Sequence, residues 1–271
     1  MELEVSLKND LAKVINNPCL IRKVPGTLLA RYAHFMVGRQ VHSRASSLDT
    51  SGLSRNHYGW TSITEQFAWD MFCIQETNLI NFVRTFATGD YKVAVEIGAT
   101  SDMFLKHVKA ERKIGINVLD VCVEQLNRQG IIGIKTDGQR MPLADNEADL
   151  VICFETLEHT LNPLLFLAEL GRIARNKTLL SIPWVSKTNI RAKWHGRADP
   201  NGQPDSEFHI FEFDEDDFRK VLSYTDFKVS KYQKLTNYEA KYDPFSNWCL
   251  RKYLYLEFFP TIQAYVLEKH A

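Results

Sequence analysis

Between residues 92 and 182, short β-branched runs alternate with stretches of helical character, and few folds accept that pattern. The runs are 92–97 (KVAVEI), 112–117 (RKIGIN), 131–136 (IIGIKT), 148–154 (ADLVICF) and 177–182 (KTLLSI). Residues 102–109, 120–128 and 163–174 read as the intervening helices. Asp120 is placed to cap the second, because its carboxylate can accept from first-turn amides. Pro163 opens the third, where a missing N–H loses no hydrogen bond. Strands of about six residues alternating with helices of about ten form right-handed βαβ units and a parallel sheet. The runs are apolar at successive positions, as expected when helices cover both faces. The chain is therefore expected to be α/β, with a doubly wound, mostly parallel sheet.

Flanking segments are read from periodicity. Residues 28–37 suggest a helix, and 39–58 a polar, Ser-rich loop. From 62 to 86 apolar residues recur at helical spacing and stop at Thr88-Gly89-Asp90. Residues 1–90 are expected to be a mainly helical extension or cap, and 91–271 the α/β domain. Residues 184–208 are polar and include Pro200, Gly202 and Pro204, a long connection of the kind usually tied to function. Asp214 caps a helix over 214–223, with Phe218, Val221 and Leu222 facing inward. Residues 227–233 and 263–268 read as further strands.

Composition excludes several classes. The 33 basic and 33 acidic residues cancel, which gives no support for a nucleic-acid partner. The five cysteines are odd in number and form no CxxC pair, so buried free thiols are expected rather than disulfides or structural zinc. No His/Asp/Glu set shows metal-ligand spacing, and no metal is expected. No apolar run approaches the roughly 20 residues of a spanning helix. The residues MELEVSLKND lack a signal-peptide apolar core, so a cytoplasmic protein is expected.

In an open parallel sheet, ligands bind beyond the carboxyl ends of the strands, where strand order reverses. Those positions hold Glu96 and Gly98, Asn117, Asp137 and Gly138, Glu155 onward, and Pro183. A carboxylate before a glycine turn, an amide able to meet a ribose diol and an aspartate able to accept from an adenine amino group suit a nucleoside-containing ligand.

The same residues resemble a known family. Glu96-Ile97-Gly98-Ala99-Thr100-Ser101-Asp102 stands where class I, Rossmann-like S-adenosylmethionine-dependent methyltransferases carry an acid and a Gly-x-Gly-x-Gly loop. Thr136-Asp137-Gly138-Gln139-Arg140-Met141-Pro142-Leu143 is similar to their stretch after the third strand. Ala148-Asp149-Leu150-Val151, Leu157-Glu158-His159 and Asn162-Pro163 resemble the signature around the fourth. His209-x-Phe211-x-Phe213 and the Asp214 helix resemble the C-terminal part. The resemblance covers about residues 91–235 and implies a Rossmann-like fold with S-adenosylmethionine as cofactor. It implies that Glu96, Gly98 and the Ala99 backbone meet the methionine moiety. Asn117 would meet the ribose, Asp137 the adenine amino group, Gly138 and Met141 the adenine face, and Phe154 and Glu155 the sulfonium region. Thr100 and Asp102 replace the second and third loop glycines, and Asn117 replaces an acid. Side chains there would crowd a cofactor, and an aspartate near a helix start would compete with the methionine carboxylate for free amides.

His159 and His209 are the candidate catalytic bases, since imidazole titrates near neutral pH. His195, beside Arg191, Trp194 and Arg197, is a candidate in an acceptor lid. The expected activity is methyl transfer to an oxygen or nitrogen of a small-molecule or glycan-type acceptor. The alternative is an inactive methyltransferase-like module for binding or assembly, motivated by the altered loop. A nicotinamide oxidoreductase is disfavoured, because no GxGxxG follows a strand. The N-terminal segment could cap the substrate mouth or mediate dimerisation, so a homo-oligomer is among the expected states.

Overall fold

The computed structural model describes residues 41–51, 53, 66–101, 103–185, 187–190, 209–236 and 261–270. The helix expected at 28–37, Asp102 and the His195 segment lie outside them. After helix α1 (Gln66–Phe86) come β1 (Asp90–Ile97), β2 (Lys109–Asn117), α2 (Asp120–Arg128), β3 (Ile132–Lys135) and β4 (Ala148–Phe154). Then follow α3 (Pro163–Ile173), β5 (Ala174–Pro183), β6 (Asn189–Ile190), β7 (Phe211–Glu212), α4 (Glu215–Leu222), β8 (Phe227–Thr236) and β9 (Thr261–Lys269).

Seven strands form one sheet in the order β3-β2-β1-β4-β5-β9-β8, and β6 and β7 form a separate antiparallel pair. β1 to β5 are parallel, and β9 runs antiparallel to both β5 and β8. Strand order reverses between β1 and β4, which puts the ligand crevice at their carboxyl ends.

The period of two along each strand divides the core into two layers. Val95, Ile97, Val151 and Cys153 face one cluster, closed by Phe166, Leu167 and Leu170 of α3 and Phe218 and Leu222 of α4. Ala94, Leu150, Ile152 and Phe154 face the other, closed by Leu79, Phe82 and Val83 of α1. Helix α1 thus packs on the sheet itself. Cys73, Cys122 and Cys153 are buried, the last two as free thiols. No helix among the described residues is long and apolar enough to cross a membrane.

Three local expectations need correction. Residues 41–46 are helical rather than loop, and Val41 and Ala45 are buried on one side of that turn. Asp120 does not cap α2. Leu119 occupies the N-cap position, and the Asp120 carboxylate accepts from Lys135 Nζ at 2.6 Å. The helix expected at 102–109 is a single 3₁₀ turn, Leu105–His107. Register explains this. Lys109 pairs with Asp90, so the crossover must travel back along all eight residues of β1. That path is about 26 Å. Seven or eight α-helical residues advance only about 12 Å, leaving no chain for the turns at either end.

One buried side chain joins the C-terminal elements. Gln263 on β9 donates through Nε2 to the Phe213 carbonyl at 2.7 Å and the Pro183 carbonyl at 3.3 Å, and accepts from Tyr265 Oη at 2.7 Å. It has no exposed surface.

Candidate functional site

At the end of β1 the chain turns through Gly98, whose φ is +81°. A Cβ there would lie 2.2 Å from Thr156 Oγ1, so the glycine is required by close approach to the loop after β4. The Gly98 and Ala99 amides both donate to the Ile116 carbonyl, at 2.9 and 3.0 Å. Asn117, at the end of β2, donates from Nδ2 to the Ala99 carbonyl and accepts at Oδ1 from the Leu119 amide, both at 2.9 Å. It thus fastens the two strand ends together and keeps one amide hydrogen for another partner. Thr100, in place of a loop glycine, is 7% exposed, so its side chain packs inward. Glu96 is buried on β1.

Beyond β3, Asp137 is exposed and accepts from the Gln139 backbone and side-chain amides. Gly138 has φ +77°, and a Cβ there would strike the Phe166 ring at 2.4 Å. Three of the expected cofactor residues, Ala99 (expected through its backbone), Met141 and Phe154, have buried side chains. Ala99 is fully covered. Met141 is closed in by the layer under α3, and its amide donates to Glu169 Oε1. Phe154 packs edge-on against Phe104 in the α1 layer.

The loop after β4 differs in kind. Glu155 adopts φ +45°, a left-handed conformation that is strained for a residue with a side chain and persists only where its surroundings enforce it. The Ser181 hydroxyl on β5 donates to Glu155 Oε1 at 2.9 Å. Burial raises the Glu155 carboxyl to about 7, opposed by the Ser181 hydrogen bond and the charge of His209. Glu158 is 1% exposed. Burial, then the Glu155 and Glu212 carboxyls, push it well above the ordinary carboxylate range. Glu76 of α1 is raised to about 8 by burial and by the charge of Glu155, which ties α1 to this corner.

The two candidate bases meet here, although fifty positions separate them in sequence. The rings of His159 and His209 stack edge to face with centroids 4.9 Å apart. His209 Nδ1 is 3.0 Å from Glu212 Oε1, and the Ile210 amide donates to the Glu158 carbonyl at 2.6 Å, pinning the β7 segment to the β4 loop. His195 lies outside the described residues.

Residues 95–182 match the family model for a methyltransferase domain. The mostly parallel seven-stranded sheet with its flanking helices is shared with solved structures. The fold is that of a class I, Rossmann-like methyltransferase. One similar structure is the complex between the Haloferax volcanii Trm112 methyltransferase activator and a proposed methyltransferase. It is 12% identical with a TM-score of 0.53, over 78% of this chain and 100% of that one. A proposed S-adenosylmethionine-dependent methyltransferase from Listeria monocytogenes gives 10% identity and a TM-score of 0.52, over 73% and 99%. A SAM-dependent methyltransferase from Leishmania major gives 11% and 0.52, over 84% and 81%. No curated protein sequence matches significantly. At these identities the likeness establishes the fold.

Within this methyltransferase fold, sequence reasoning missed Glu76, Glu158 and Glu212. Glu158 lay inside the quoted Leu-Glu-His motif, yet a 3₁₀ turn, Leu157–His159, turns it inward. Glu76 and Glu212 carry no signal beyond an acid within an apolar segment. Val118, directly after β2, is 47% exposed and was likewise passed over.

Proposed function

We propose that this chain transfers a methyl group from S-adenosylmethionine to an oxygen or nitrogen of a small-molecule or glycan-type acceptor. The observation that carries the reading is the gathering of Glu155, His159 and His209 at the end of β4, within the segment matching a methyltransferase domain and its neighbouring β7 lead-in. The acceptor class draws on the polar, aromatic character of residues 184–208. Trp184, under Lys234 Nζ at 3.5 Å, is its described anchor.

S-adenosylmethionine, when bound, supplies a methyl carbon made electrophilic by its sulfonium. The residues present fit the adenosyl end. Asp137 retains lone pairs beyond those given to Gln139, Asn117 retains an amide hydrogen, and Val118 offers apolar surface for the base. At the methionine end, Glu96 and Glu155 are suited to the positive ammonium and sulfonium groups. The Gly98 carbonyl would line that end, since the turn's amides are engaged by Ile116 and the Ala99 carbonyl by Asn117.

Glu155 is suited to act as general base, because a catalytic acid–base group works best with a pKa near the operating pH. Bound S-adenosylmethionine would give its methyl carbon to the acceptor's lone pair, and its sulfur would keep the electrons of the broken carbon–sulfur bond. The acceptor's proton passes to the Glu155 carboxylate. His159 and His209 stand beside that carboxylate, with Glu212 orienting His209.

The β1–β2 crossover favours a second reading, a binding or assembly module without activity. Among the described residues of the crossover only a 3₁₀ turn is present, and they offer no helix N-terminus to the methionine carboxylate. Calorimetric titration with S-adenosylhomocysteine separates the two. The enzyme reading expects micromolar binding, weakened about tenfold or more in Asp137→Ala by loss of a hydrogen bond to a charged group. Absence of binding would leave the module.

A further inference from the structure

We infer that Glu158, His159 and His209 form a binding site for a divalent transition-metal ion, with zinc the ion their chemistry favours. One ligand atom from each lies within 4.8 Å of the other two. Two imidazoles and a carboxylate suit zinc and its neighbours, whereas magnesium and calcium prefer oxygen throughout.

The buried carboxylate supplies an independent argument. Glu158 is 1% exposed, and neither of its oxygens has a hydrogen-bond partner of good geometry. Its nearest opposite group is His159 Nε2, 3.8 Å from Oε1. A carboxylate in such surroundings is unfavourable unless it is protonated or faces a cation. Loose packing does not explain the burial, because its own backbone carbonyl holds the Ile210 amide at 2.6 Å. The loop is fixed, and the side chain is fixed with it.

The surroundings of His209 follow the same logic. Glu212 is buried and stands 3.0 Å from His209 Nδ1. A carboxylate that accepts the Nδ1 proton leaves the Nε2 lone pair to a metal and raises its basicity, an arrangement common behind zinc-binding histidines. Tetrahedral zinc with bonds near 2.1 Å keeps its ligands about 3.4 Å apart, so the three must close by roughly an ångström. The imidazole side chains are 28% and 24% exposed, which gives an ion an entry path.

Three protein ligands leave one coordination position open, the pattern of catalytic rather than structural zinc. Resting on the methyl-transfer reading, the open position is suited to an acceptor oxygen. Coordination would lower that oxygen's pKa and make it the nucleophile.

The test uses the full chain stripped with a chelator, passed through a desalting column and titrated with zinc chloride by calorimetry, with elemental analysis of the complex. One zinc per chain at micromolar affinity or tighter is expected. Cobalt in place of zinc should give the visible absorption of a four-coordinate ion. His209→Ala and Glu158→Gln should each weaken binding at least a hundredfold, and Glu212→Gln ten- to a hundredfold. Circular dichroism would check that each variant is folded. Failure of folded wild-type protein to take up stoichiometric zinc would overturn the site, as would unchanged affinity in folded Glu158→Gln and His209→Ala. S-adenosylhomocysteine titrated into the metal-free protein keeps the two ideas apart. Nucleoside binding without zinc binding defeats the metal site alone, and zinc binding without nucleoside binding defeats the methyl-transfer reading alone.

Discussion

The crossover after β1 and the loop after β4 lie side by side at the same end of the sheet, yet they are built on opposite principles. After β1 nearly every described polar group is answered by the protein. The Gly98 and Ala99 amides meet Ile116, and Asn117 meets Ala99 and Leu119. After β4 the chain buries carboxyls whose pKa values rise, strains the Glu155 backbone and draws in histidines from another segment. Self-satisfied backbone gives rigidity. Buried groups held away from their preferred state give chemistry, because a bound cation or reacting proton changes their energy most.

The largest effect should come from Glu155→Gln. If the loop after β4 carries the chemistry, methyl transfer should fall about 10²–10⁴-fold while S-adenosylhomocysteine affinity changes little. The wild-type rate should rise with pH through about 7, as the base loses its proton. Equal losses of affinity and rate would place Glu155 in binding instead.

Gly98→Ala tests the rigid side. The added Cβ meets Thr156 Oγ1, and φ of +81° is unfavourable for alanine. Together these should lower stability by about 2–4 kcal/mol, read as a shift in urea midpoint. Removing the obstructing hydroxyl in Gly98→Ala/Thr156→Ala should recover the steric part and leave about 1–2 kcal/mol of backbone strain.

Asn117→Asp restores the acid that related methyltransferases carry, and so bears directly on the contrast. The carboxylate would face the Ala99 carbonyl where an N–H now donates. Stability should drop by about 1–3 kcal/mol, with no gain in nucleoside affinity. A tighter complex in calorimetry would mean that the ribose contact outweighs the strand fastening.

A smaller effect is expected at Glu76. Its folded pKa, about 8, lies above the unfolded value, so the folded state binds more protons. Its favourable contribution is complete below the unfolded pKa and is lost as pH rises through about 8. Glu76→Gln should therefore gain about 1–3 kcal/mol relative to wild type at pH 9 and little at pH 5, in paired denaturation curves. Equal differences at both pH values would show that burial of Glu76 is already relieved.

Much of this architecture was legible in the sequence, because the signals there were local. β4 and α2 fall where periodicity put them, and Asp214 caps α4 by accepting from the Asp217 amide at 2.9 Å. The 102–109 segment misled. Met103, Phe104, Leu105 and Val108 are spaced as on a helix, but strand register, a long-range constraint, demanded extended chain. The site was legible in part. Residues after strands can be read off one by one, which picked out Glu155 and His159. That His209 lies against His159, and that Glu158 points inward, depends on how β7 docks, which has no sequence period.

Gln263 decides that docking. A single amide on β9 holds the carbonyls of Pro183 and Phe213, near the two ends of the excursion that bears His209. The excursion therefore gains one of its anchors from a strand some fifty residues further along the chain. The same strand that fills the gap between β5 and β8 and contributes to both core layers thus also fastens the reactive corner.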